Sequence, residues 1–220
     1  MLDAEVLRAT VTSLRVSTTA LLLALAAGVP LGALLATGRG RAARVGETAA
    51  GAGMGLPPVL VGLVVSMLLW RSGPLGWLGL MYSVTAMVVA QAIIGLPIVT
   101  ALTAAAIAQL GPDLPLQLRG LGAGRWQLRW ALLREARLPL VAVVLAVAGR
   151  LLGEVGAVMM VGGNIAGETR VLTTALVLEV RMGHFERGLG LGAVLLGLSV
   201  ALSWGLQRLG RHGRVAREAP

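Results

Sequence analysis

The sequence predicts an all-α membrane protein with about five transmembrane helices. Three observations carry that prediction. Of 220 residues, 56% are hydrophobic and only 13% charged, with a mean hydropathy of +0.83. The apolar residues fall into unbroken runs long enough to cross about 30 Å of hydrocarbon. The charges gather between those runs, and all 19 basic residues are arginines. A water-soluble chain of this length needs a more polar surface.

The same composition excludes several classes of chemistry. There is no cysteine, so disulfides and thiolate metal sites do not arise. His184 and His212 are the only histidines, too few for a histidine metal centre. Without a lysine the chain has no ordinary P-loop, whose lysine holds the nucleotide phosphates. The net charge of +9 does not point to nucleic acid, because the arginines flank apolar runs in the manner of orientation signals.

The 220 residues read as one transmembrane domain. Met1 to Arg15 is mixed, with Asp3 and Glu5 ahead of Arg8. A secretory signal starts basic and has a shorter apolar core, so residues 16–37 are assigned as the first span. Gly28, Gly32 and Ala36 form a row of small residues that permits close helix approach. Arg39, Arg41 and Arg44 follow and mark a cytoplasmic end.

The second span, residues 49–70, contains Leu56-Pro57-Pro58. Prolines inside a span remove backbone hydrogen bonds and kink the helix, either as packing or as a bend lining a pathway. Residues 71–83 form a connector with Trp77 and Tyr82 as interfacial aromatics. The third span, 84–110, carries a further mid-span proline at Pro97.

The fourth span, 140–161, includes Arg150 and Glu154. An ionised group at mid-membrane costs about 2.5–3.5 kcal/mol on insertion scales, so neither faces lipid. At i and i+4 of a helix they pair across one turn, as a structural ion pair or as part of a gate. Gly149 and Gly153 suggest a second close-packing row. Gly162-Gly163-Asn164 then ends the span with residues that tolerate left-handed backbone. Residues 171–182 carry a helical apolar stripe but are too short to span, and read as an external interfacial helix. The fifth span is 189–209, followed by Arg208, Arg211, Arg214 and Arg217.

Five spans put the termini on opposite sides. With the N-terminus outside, twelve arginines lie in cytoplasmic segments and six in external ones; the opposite orientation inverts the ratio.

Between the third and fourth spans, residues 111–139 form a connector. Its stretch LPLQLRGLGAGRWQLRWALLREARLP, Leu114 to Pro139, carries five arginines against a single internal acid, Glu135. One reading is a loop that only sets topology. The other takes Leu121-Gly122-Ala123-Gly124 as a turn between two helices, with Leu138-Pro139 opening the next helix. Such an element is suited to holding a soluble partner.

That arrangement resembles the coupling loop of type I ABC importer permeases. The family's glycine matches Gly122 and its closing Leu-Pro matches Leu138-Pro139. The family's Glu-Ala-Ala is replaced by Leu116-Gln117-Leu118, and the glycine-to-proline gap is longer by about one helical turn. The tungstate permeases are similar in that gap and in the run from Arg150 to Asn164, and Leu56-Pro57-Pro58-Val-Leu-Val-Gly-Leu resembles the second core helix of molybdate and tungstate permeases. The resemblance implies the type I permease fold, with docking of a cytosolic ABC ATPase at Leu116, Gln117, Leu118, Leu121, Gly122, Ala123, Gly124 and Arg125. It further implies a pathway and gate region at Pro57, Pro58, Pro97, Arg150, Glu154, Gly162, Gly163 and Asn164. On this reading the chain is a homodimeric, non-enzymatic subunit in the cell membrane that carries no cofactor of its own. ATP and Mg sit on the ATPase, and an external binding protein delivers tungstate, or failing that molybdate. A secondary transporter or channel without an ATPase is the competing class. Inverted repeats would favour it, and none is visible.

Overall fold

The computed structural model describes residues 2–215, and its regular secondary structure is helical throughout that range. The tail residue Arg217 falls outside it, as do the side chains of Arg211, His212 and Arg214. The helices are α1 (Leu2–Thr37), α2 (Arg41–Met54), α3 (Pro58–Leu69), α4 (Val84–Ala108), α5 (Asp113–Gly120), α6 (Arg125–Glu135), α7 (Arg137–Leu152), α8 (Gly156–Gly162), α9 (Leu172–Arg181) and α10 (Phe185–Val215).

α4 is the axis of the bundle. Met87, Ala90, Ile94, Val99 and Thr103 along it are buried, and α1, α2, α3, α7 and α8 all pack on it. The expected small-residue row on α1 does what its spacing suggests. A Cβ on Gly28 would lie 2.7 Å from Val99 Cβ, and one on Gly32 would lie 2.6 Å from the Thr100 carbonyl oxygen. α1 and α4 therefore touch backbone to backbone, which only glycine allows at these two places.

Three helices are long and apolar enough to cross a membrane alone, within residues 4–37, 84–108 and 185–205. Two bent pairs raise the total to the five expected spans, but neither is the continuous helix that the sequence suggested. The second span is broken, not kinked: α2 and α3 meet at 100° across Gly55, Leu56 and Pro57. Pro57 has extended backbone as the N-cap of α3, and Pro58 occupies its first turn. Two successive prolines offer no N–H to the turn before, so the chain starts a new helix instead of bending an old one. The fourth span is broken as well, α7 and α8 meeting at 54° across Gly153, Glu154 and Val155. By contrast α4 runs unbroken through Pro97.

Other boundaries also differ. α1 begins at Leu2 and not near residue 16, giving 36 residues and a length of about 54 Å. Its N-terminal part is held by α9 and α10 through a cluster of Ala9, Leu172, Ala175 and Leu191. The short external helix is present as α9, but its first turn is buried and does not lie on a surface. The Gly149 and Gly153 row makes no close helix contact, since a Cβ on Gly149 would meet nothing within 4 Å. Leu22, Leu23, Leu189, Leu196 and Val200 project outward from α1 and α10, as side chains facing lipid must.

One substitution made at two places separates these roles. Gly32→Ala forces α1 away from the Thr100 carbonyl and should lower thermal stability by about 1–3 kcal/mol. Gly51→Ala, on the open side of α2, should be neutral or stabilising by up to about 1 kcal/mol. Unfolding midpoints of the two purified variants check the opposite signs.

Candidate functional site

A helix broken inside an apolar bundle exposes carbonyl and N–H groups that no water can reach, and each must find a partner. At the α7–α8 break those partners come from three other helices. Gln91 Nε2 on α4 donates to the Leu151 carbonyl at 3.0 Å, and Ser17 Oγ on α1 reaches the same oxygen at 3.4 Å. Thr173 Oγ1 on α9 donates to the Glu154 carbonyl at 2.9 Å. Next to it, the Leu172 N–H opening α9 donates to Ser13 Oγ on α1 at 2.8 Å.

Glu154 stands in this break, one residue beyond the α7 C-cap, and not on a continuous helix face. Its Oε2 accepts from Arg150 Nη1 at 3.1 Å and its Oε1 from the Ala157 N–H at 3.1 Å. One carboxylate therefore closes α7 through Arg150 and caps the first turn of α8. The pair is lopsided: the Glu154 side chain is 3% exposed and that of Arg150 is 42%. The arginine shares its open face with Gly149 and Gly153.

The two breaks lie together. A Cβ on Gly156 would come within 2.6 Å of Val59 Cγ2, so the first turns of α3 and α8 are in contact. Gly62 continues that seam, since its Cβ would lie 2.7 Å from Ala157 Cα. The structure thus gathers Pro57, Pro58, Arg150 and Glu154 into one region. Pro97 packs against Gly53 in the last turn of α2, just before the α2–α3 break. Gly162, Gly163 and Asn164 lie at the far end of α8, where Gly163 (φ 68°) and Asn164 (φ 53°) are left-handed and Gly163 packs on Tyr82. That turn is tied back by Arg170, which donates to Asn164 Oδ1 at 3.3 Å and pairs with Glu5 of α1.

Gln91, Ser17, Ser13 and Thr173 were not among the expected site residues. Gln91 carried a signal, as a lone amide deep in an apolar run whose burial demands a partner. The two serines and the threonine carried none, because such residues also bond back to their own helix.

The basic connector folds as helix, turn, helix. Ala123 N–H bonds the Leu118 carbonyl and Gly122 N–H the Arg119 carbonyl, both at 3.0 Å, the double bond pattern of a glycine-terminated helix. Gly122 has φ +83°, and a Cβ there would meet nothing within 4 Å. The glycine is thus required by the backbone and not by crowding. Gln127 Oε1 then accepts from the Gly124 N–H at 2.8 Å to start α6.

The element has two faces. Leu114, Leu118, Leu128, Leu132 and Ala136 pack with Ala33 of α1 and Ala106 and Ile107 of α4. Leu118, expected at a docking surface, belongs to this inward set. Leu121, 85% exposed, and Trp126, 76% exposed, project outward with Leu116, Gln117, Gly124 and Arg125.

A bundle of apolar helices with two adjoining breaks, joined to a basic helix–turn–helix, defines a multi-pass membrane protein. The chain belongs to the family of binding-protein-dependent transport system inner membrane components, matching it over residues 28–212. It is a permease subunit of the type I ABC importer class. It is 38% identical over 210 residues to a probable anion ABC transporter permease of Haloferax volcanii, covering 93% of this chain and 89% of the relative. It is 39% identical over 191 residues to the tungstate uptake system permease TupB of Peptoclostridium acidaminophilum, covering 87% and 84%. Among solved structures, the MetNI methionine ABC transporter in an inward-facing conformation superposes with a TM-score of 0.78 at 19% identity. That superposition covers 94% of this chain and 95% of the other, and attests the fold.

The lopsided pair makes a directional test. Arg150→Gln leaves a buried carboxylate short of a partner and should lower membrane protein level and melting temperature severely, by about 3–5 kcal/mol. Glu154→Gln keeps an oxygen for the Ala157 N–H and leaves an arginine already half in the open, so it should be the milder change. The double glutamine variant should recover much of the loss. Equal damage from both single variants would refute this division of labour.

Proposed function

We propose that this chain is the membrane subunit of an importer for a tetrahedral oxyanion, tungstate in the first place and molybdate in the second. The observation that carries the anion class is the similarity to permeases named for anion and tungstate uptake. A molybdenum transport permease of Escherichia coli, 32% identical over 157 residues, supports the same class. The subunit works as a homodimer, its second copy facing the open Gly149, Arg150, Gly153 side of α7. Arg150 is the cationic group beside the passage, held in place by Glu154. The chain hydrolyses nothing; ATP and Mg act on the cytosolic ATPase, and an external binding protein delivers the anion.

The ATPase engages the outward face of α5 and α6, chiefly Leu121 and Trp126, while the inward leucines pass its motion to α1 and α4. The N-terminus lies outside and the C-terminus in the cytoplasm, following the excess of arginines on that side. Competition from an ATPase-independent transporter is disfavoured by the family match.

The test acts on side chains that stand mostly in the open. Leu121→Asp and Trp126→Ala should leave the protein at normal levels in the membrane. Co-purification of the ATPase should be lost and tungstate uptake should fall by at least about tenfold, the scale of a buried aromatic anchor. Uptake at the wild-type rate with the ATPase still bound would refute the docking assignment. The absence of cysteine makes the orientation testable too. In intact cells a cysteine replacing Ala166 should react with an impermeant thiol reagent, whereas one replacing Ala123 should not.

A further inference from the structure

On α6, Arg129 is half-buried beside the inward-facing Leu128 and Leu132, and the exposed Arg125 stands one turn before it at the helix start. Leu128 and Leu132 give that side its apolar bulk, and the two arginines stand at its edge. They open into a recess of about 520 Å³ between the end of α1 and the α5–α6 turn. Arg39, Arg119, Arg125 and Arg129 line it with Thr37 and Gly124, and no carboxylate does. Arg129 is anchored at the wall, its Nε donating to Thr37 Oγ1 at 3.1 Å. That bond uses one of the five donors of the guanidinium.

Four like charges around one concavity repel one another, and low-dielectric walls concentrate their field. The most exposed side chains of this element, Leu121 and Trp126, are apolar and lie outside the recess. A planar guanidinium matches two oxygens of a carboxylate or phosphate-like group, and several around one recess match a tetrahedral one. We propose that this recess is an anion site for a tetrahedral oxyanion group, either a free inorganic oxyanion or the phosphate of an anionic lipid headgroup. An anion there bridges the end of α1 to the α5–α6 turn and so fixes how the turn is held. Its side of the membrane follows the orientation proposed above, but the site is independent of that reading and of the transported substrate.

The test uses the full-length permease in non-ionic detergent. Sodium sulfate is titrated against sodium chloride at matched ionic strength, and the unfolding midpoint is recorded. Sulfate should raise the midpoint saturably. Half-saturation should weaken at least about tenfold in Arg39→Gln, the scale of one charge-assisted hydrogen bond. The response should vanish in the Arg39→Gln/Arg129→Gln double variant. Arg134→Gln, on α6 but outside the recess, should respond as wild type. Arg39 is exposed, so its single variant keeps the test valid if the double variant folds poorly.

Nanodiscs separate the two sources. A sulfate response in phosphatidylcholine that phosphatidylglycerol suppresses supports a headgroup as the natural occupant; an undiminished response supports a free oxyanion. No sulfate-specific shift in detergent or in either lipid overturns the site, as does an equal loss in Arg134→Gln. So does a double variant that loses the ATPase while keeping the sulfate response, which would assign these arginines to an acidic face of the partner. None of these readouts uses transport, so a wrong substrate class would leave the result intact.

Discussion

The constraint on which this architecture depends is the absence of water along the backbone. A span may stop and restart inside the bundle only if the groups it frees are bonded by protein. Here α1, α4 and α9 each send a side chain to the fourth span's break, and Glu154 caps the segment that restarts. An unmet buried carbonyl or amide costs about 1–3 kcal/mol, so these bonds decide whether the break can exist at all. Two of them, from Ser17 of α1 and Gln91 of α4, converge on the one Leu151 carbonyl.

Because α3 and α8 start side by side, the two breaks form one discontinuity in an otherwise regular bundle. Short helices meeting at a seam of glycine and valine contacts have less to hold them than the long α1–α4 pair. The polar features of the membrane portion collect there too, with Arg150 on the open side and Glu154 on the closed one. In a transport subunit, the place where helices are cut short is where a rearrangement breaks the fewest contacts. The basic connector repeats the same logic at larger scale, with an inward face of leucines that commits it to α1 and α4 and an outward face left uncommitted.

Much of this could be read from residues alone. Apolar run length picked out the three helices that are long enough to cross a membrane alone, though not where the first begins, because hydrophobic transfer is a sum over residues and does not depend on partners. Gly122 could be read because a left-handed turn leaves few alternatives to glycine, and Gly28 and Gly32 because helical spacing puts them on one face. The breaks were harder to see. Hydropathy counts the same whether a run is one helix or two, so residues 49–70 and 140–161 looked continuous. Pro57-Pro58 was visible, but reading it as a kink overlooked that proline at a first turn marks a beginning. At Gly153-Glu154-Val155 no helix breaker except glycine stands, and the break is held by side chains 19 to 134 residues away in the chain. That information resides in tertiary contacts, as does the inward turn of Leu118 and the openness of the Gly149, Gly153 face.

The central claim is that residues 111–139 are a two-faced lever and not a mere orientation signal. Cysteine cross-linking measures this directly, since the chain has no cysteine of its own. Cysteines are placed singly at Leu121 and at Leu118, three residues apart on opposite faces, in a complex still competent for uptake. A short bifunctional reagent should join the Leu121 position to the ATPase and leave the Leu118 position unjoined. Equal joining from both, or none from Leu121 in a transporting complex, would contradict the account.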